Sequence, residues 1–251
     1  ITPSPTPTGT PTSAPGVYVP PPRNIGVNTP PNNVPGNVFP GTYTIIDLGG
    51  NPVVVSSTPD GKYDLVFYEY SFGSPSRVEL DHIIIGISQN ADGSYYEIFN
   101  WGDNVRDQNT NVDYNGLPPD PLCAGDPECD NRDIPTTSLY GSPIQSGILI
   151  DVDYNTAGKP PEGSYRYVVI ICPLLGGDPA QIDSIVVEEV NGGKFGLSAS
   201  RTGASQATEE AQPPPQEDSS LPAQEPDEPP QGEETNVEES PPPAEETSPP
   251  P

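Results

Sequence analysis

Methionine is absent from this chain of 251 residues, histidine and tryptophan occur once each, and cysteine occurs three times. Basic residues number only nine against 36 acidic ones, a formal net charge of −27. Each scarcity excludes something. So acidic a surface repels nucleic acid and anionic membrane, and neither is expected as a partner. It attracts cations, Ca²⁺ among them, and basic partners. No run approaches the roughly 18–20 apolar residues of a membrane span. Glycine-rich phosphate loops are missing. The single His82 lies in "LDHIIIG" with no nucleophile motif near it, so serine- or cysteine-hydrolase chemistry lacks its usual base. No catalytic constellation is expected, and the chain reads as a non-enzyme.

What is plentiful is proline, 38 residues, and glycine, 25. The prolines are uneven, with 12 in residues 1–40 and 13 in residues 204–251. The flanks are therefore low-complexity, and the middle is long enough to bury a core. Residues 1–16, "ITPSPTPTGTPTSAPG", read as an uncharged Pro/Thr spacer. Thr6, Thr8, Thr10 and Thr12 are its candidate O-glycosylation sites. Residues 17–40 interleave Val17, Tyr18, Val19, Ile25, Val27, Val38 and Phe39 with turn residues. This is an apolar-anchored extension, laid along its own domain or along a neighbouring copy. Residues 202–251 form an acidic Pro-rich tail too poor in large apolar residues to fold alone. Ile1 in first place points to a mature or trimmed form.

Residues 41–201 are the expected domain. Eight segments are rich in Val, Ile, Tyr and Phe and bounded by Gly, Pro, Asn and Asp: 42–49, 52–57, 63–70, 80–89, 94–101, 147–154, 165–174 and 183–190. "PDGK" and "ADGS" are Asp-Gly turn signals. No helical apolar period persists. The expectation is an all-β, antiparallel, jelly-roll-like β-sandwich of about eight strands, with extended Pro-rich tails and a long insertion at 102–146.

"TIIDLGGNPVVVSSTPDGKYDLVFYEY", through Asp47, Leu48, Gly49, Asp60, Gly61, Asp64 and Glu69, resembles secreted bacterial cell-surface β-sandwich modules. So do "HIIIGISQNADGSYYEI" and "YRYVVIICPLLGGDPAQIDSIVV", the latter with Asp183 leading the last strand. Over about residues 41–190 the pattern is similar to the galactose-binding-like jelly roll. That resemblance implies a non-catalytic extracellular module for glycan or surface attachment.

Several residues are candidates for chemistry. Cys123 and Cys129 bracket "CAGDPEC" and suit a local disulfide, hence an oxidising compartment. Cys172, in "YVVIICPLL", reads as a small buried hydrophobe. Calcium prefers oxygen ligands from irregular acidic loops. One such place is the insertion, with Asp120, Asp126, Glu128, Asp130, Asn131 and Asp133. The other is the same-face pair Asp151 and Asp153. A structural Ca²⁺ is the one cofactor considered. Asp64 and Glu69 lie about 17 Å apart along one strand, too far for a glycosidase pair. If Glu69 faces the core it needs a partner: Arg77, Arg166 or a cation. Tyr95 and Trp101 are candidates for stacking on sugar. Two functions follow. One is a structural or adhesive β-sandwich subunit of an extracellular, cell-surface assembly or filament, whose N-terminal segment contacts a neighbour; self-association or other surface proteins are its partners. The other is a carbohydrate-binding module on a Pro/Thr linker, with glycans as partners.

Overall fold

The computed structural model describes residues 9–72, 76–112, 116–154 and 159–192. The acidic tail, Thr6 and Thr8 lie outside the described residues. All eight expected strands are present, and the molecule is all-β. They are β5 (Thr42–Asp47), β6 (Val53–Val55), β7 (Lys62–Glu69), β9 (Ile83–Ser88), β10 (Ser94–Trp101), β12 (Gly147–Ile150), β14 (Tyr167–Cys172) and β15 (Ala180–Asn191). Turn chemistry places several of their ends. Asp47, Asp60 and Asp92 each accept a hydrogen bond from the backbone N–H two residues on, and Gly49, Gly61 and Gly93 supply the positive φ beside them.

Seven further strands are two to four residues long. Four lie in the N-terminal segment: β1 (Thr12–Ser13), β2 (Val17–Tyr18), β3 (Gly26–Val27) and β4 (Gly36–Val38). The others are β8 (Arg77–Leu80), β11 (Arg132–Pro135) and β13 (Gly163–Tyr165). One sheet runs β1-β10-β9-β14-β5-β2 and a second runs β12-β7-β15-β3, with β4 also on β15. The ribbons β8–β11 and β6–β13 complete the set. Both large sheets feed one core. Ile46, Ile85, Val168 and Ile170 come from the first, and Leu65, Phe67, Ile148, Ile182 and Ile185 from the second. Burying each such side chain contributes about 1.5–3 kcal/mol.

The N-terminal segment follows its own domain. β1 pairs with β10 and β2 with β5, so it closes both edges of the six-stranded sheet. β3 and β4 then pair with β15 of the other sheet. Residues 9–16 are thus not all spacer, since β1 lies within them. From Ser13 to Val17 the chain reaches at most about 14 Å. The edges of a flat six-stranded sheet are about 24 Å apart. The sheet must therefore curl until its edges approach. Indeed, a Cβ on Gly93, beside β10, would lie 2.9 Å from the Tyr43 hydroxyl on β5. The curl encloses a second cluster of Tyr95, Val169 and Ile171, on which Ala14, Tyr43, Ile45 and Ile84 pack. Gly16 makes the crossing possible. Its φ is +93°, and a Cβ there would sit 2.3 Å from the Gly41 carbonyl oxygen.

Between β3 and β4 the segment is held by Ser71, Ser184 and one carboxylate. Asp183, buried on β15, accepts hydrogen bonds from the backbone N–H groups of Asn32, at 3.0 Å, and Asn33. Asp183→Ala strands both donors. We expect a loss of about 1–3 kcal/mol in chemical denaturation. Hydrogen exchange at Asn32 and Asn33 should accelerate more than in the β14 amides.

Candidate functional sites

The insertion at 102–146 is fastened to the end of β10 by its acidic residues. Glu128 Oε2 accepts from the backbone N–H groups of Gly102 and Asn104, at 3.1 and 2.8 Å. Asp130 accepts from the His82 and Gly177 amides. The Trp101 indole N–H donates to the Cys129 carbonyl, and His82 Nε2 lies 2.9 Å from the Glu128 carbonyl. Cys123 and Cys129 form a disulfide, with Cα atoms 5.4 Å apart. Cys172 is fully buried in the main core as a free thiol.

The four insertion aspartates expected to share a cation do other work. Asp120 and Asp126 accept from the amides of Leu122 and Glu128, two residues on. Asp133 pairs with Arg77 at 2.8 Å. Asp130 lies instead with Asp81 and Asp178, their carboxylate oxygens within 4.8 Å of one another. Much of that group is occupied by the backbone, because Asp81 also accepts from the Gln181 amide at 3.0 Å.

A second group forms at the other end of β7. The β12–β7 ladder pairs Ile150 with Leu65, so Asp64 and Asp151 lie just beyond its last rung. Asp64, Asp151 and Asp153 bring carboxylate oxygens within 4.8 Å of one another. Asp151 and Asp153 are buried, at 3% and 1% exposure. Asp64 Oδ2 accepts from the Val152 amide at 2.9 Å. Asn109, from the insertion, clasps the same turn: its carbonyl accepts from the Asp151 N–H and its side chain donates to the Asp151 carbonyl. Burial pushes the Asp64 carboxyl up to about 7, with the Asp153 charge adding to it. The spacing of Asp151 and Asp153 is readable in the sequence. The arrival of Asp64 needs the β7–β12 register and is not.

Glu69 is fully buried at the end of β7, on the face it shares with Leu65 and Phe67. Neither arginine considered for it is its partner. Arg77 bonds Asp133, and Arg166 holds Asp47 in a two-pronged pair at 2.7 Å. Glu69 Oε1 accepts from the Tyr70 amide, and Oε2 has no hydrogen-bond partner. Burial, reinforced by the Asp81 charge, holds this carboxyl well above the usual range.

Tyr95 and Trp101 are 4% and 3% exposed and present no ring to a sugar. Tyr95 covers Gly86 so closely that a Cβ there would sit 2.2 Å from its ring. A register shift between Glu97 and Phe99 turns both Ile98 and Phe99 inward. A groove of about 540 Å³ lies elsewhere, between residues 28–31 and 139–145. Tyr140, Gln145 and Glu188 line it, and the Tyr140 hydroxyl donates to Glu188. Of the candidate glycosylation sites, Thr10 and Thr12 are exposed. Among the described residues no helix is long and apolar enough to cross a membrane. No family model matches the chain, and no curated protein matches it.

Asp107 gives a pH test free of these clusters. It accepts from the Asn100 amide, and burial raises its carboxyl from 3.8 to about 7. A raised carboxyl holds its proton more tightly folded than unfolded. Its contribution is therefore fully present below about pH 4 and lost as pH rises towards 7. Asp107→Asn should flatten that part of the curve of thermal stability against pH. An unchanged slope would remove Asp107 from the account.

Proposed function

We propose that this protein is a non-catalytic structural or adhesive subunit of an extracellular surface assembly, and that its N-terminal segment forms part of the face that meets a neighbouring copy. The observation carrying this is an apolar patch at the β2 edge. Val17 and Tyr18 are exposed there, and the Val17 amide donates to the Gly41 carbonyl. Leu174 borders Gly41, and Leu174 and Leu175 are 78% and 89% exposed. Phe39 is exposed just before β5. Large apolar side chains gathered on the outermost strand of a sheet favour association.

Strand order supports a jelly-roll-like sandwich as the body of that subunit. Numbered one to eight along the chain, β4, β5, β7, β9, β10, β12, β14 and β15 are arranged 1-8-3-6 in one sheet and 2-7-4-5 in the other. That order is compatible with the double Greek key of a jelly roll, which the galactose-binding-like resemblance implies. The disulfide supports an oxidising, extracellular setting.

A carbohydrate-binding module is the second reading, moved from Tyr95 and Trp101 to the groove beside Tyr140. Its polar lining, with Asn28, Gln145 and Glu188, and its aromatic ring favour it.

Light scattering on a size-exclusion column separates the two. The full chain should associate as its concentration rises. The exposed double substitution Leu174→Asp/Leu175→Asp should leave it monomeric with an unchanged melting temperature. A wild type that stays monomeric throughout, yet binds on a glycan array and loses that binding with Tyr140→Ala, would replace the first reading by the second.

A further inference from the structure

We propose that Asp64, Asp151 and Asp153 bind a divalent cation of the Ca²⁺ class, which ties the start of β7 to the chain leaving β12. An acidic cluster alone does not make a site, and the carrying observation is Asp153. It is 1% exposed, and neither of its carboxylate oxygens has a hydrogen-bond partner. A carboxylate so placed is costly unless something positive satisfies it. Among the described residues no lysine or arginine forms an ion pair with Asp153 or Asp64. The side chain is directed at its two acidic neighbours, the arrangement that burial alone most disfavours.

Ligand chemistry points to the class of ion. Calcium holds oxygen ligands at about 2.3–2.6 Å, so two ligands of one ion lie up to about 5 Å apart. The three carboxylates meet that bound, within 4.8 Å of one another. Zinc prefers nitrogen and sulfur ligands, and magnesium demands a tighter octahedron with several waters. Three side-chain carboxylates together fit the calcium preference better than either. Asp64 contributes from a strand, while Asp151 and Asp153 alternate on the segment after β12. The site therefore joins three positions whose backbone is already set by the β7–β12 ladder and by Asn109.

The test is calorimetric titration of the EDTA-treated full chain with CaCl₂, together with thermal melts. Wild type should show one saturable site, with an affinity on the order of 10⁻⁴–10⁻³ M. Its melting temperature should rise by several degrees at about 10⁻² M Ca²⁺. Asp153→Asn removes a buried charge. It should abolish the Ca²⁺-dependent rise while melting, without Ca²⁺, no lower than wild type. The acidic tail is intact in that variant and reports any diffuse binding. Asp64→Asn, at the more accessible member, is the second variant and should behave alike. A wild-type melt unmoved by Ca²⁺, or a wild-type response retained by both variants, overturns the site.

Discussion

Nine basic residues face 36 acidic ones in this chain, so most carboxylates cannot find a cation among its side chains. The fold satisfies many of them with backbone N–H groups instead. Asp183 takes two amides of the N-terminal segment, Glu128 two amides after β10, and Asp130 the amides of His82 and Gly177. Asp107, Asp81 and Asp64 take one each, from Asn100, Gln181 and Val152. All of these bonds except the local one between Asn100 and Asp107 join an irregular segment or strand end to a distant part of the chain. Charge-assisted bonds of this kind are about twice as strong as neutral ones. They fix the long insertion and the N-terminal extension onto the sheets, where apolar side chains are few. Asp153, deeply buried, has no such donor.

The same bonds set where strands stop. One expected strand over 80–89 is two, β8 and β9, broken at Asp81 and His82. There the Asp81 carboxylate reaches β15 and the His82 amide reaches Asp130. The bulge in β10 likewise turns Ile98 and Phe99 to the core together, and the strand still ends on a buried Trp101.

Six of the eight expected strands were legible because each is long and apolar enough to show its period, while the three-residue β6 and four-residue β12 showed as short runs of Val, Ile and Leu. β1 to β4 are two or three residues each, too short for any alternation, and their pairing depends on edges built by residues far along the chain. Val17, Ile25 and Val38 stood out as anchors, but whether they served this domain or another copy was not written in their spacing. The structure pairs Val17 and Val38 with strands of the same chain and buries Ile25 in the same core. Site residues divide in the same way. Cys123 with Cys129, and Asp151 with Asp153, are local in sequence and readable. Asp64 joins the latter pair only through strand register. Among the insertion aspartates, Asp120 and Asp126 cap turns, and an aspartate that caps a turn and one that binds calcium look identical in sequence. Tyr95 is buried inside the curled sheet and Trp101 in the main core, because aromatic residues near a strand end serve a protein interior as readily as a ligand.

The N-terminal segment also stores length. Residues 9–41 lie folded back across both sheets, held by four strands of two or three residues each. Drawn straight, that stretch spans about 100 Å. A pull applied upstream of Gly9 would meet β1 first, then β2, β3 and β4 in turn, each by a few backbone bonds. The core strands from β5 onward would bear tension only after that slack had run out. Under such a pull this end yields by small increments before the long strands are loaded.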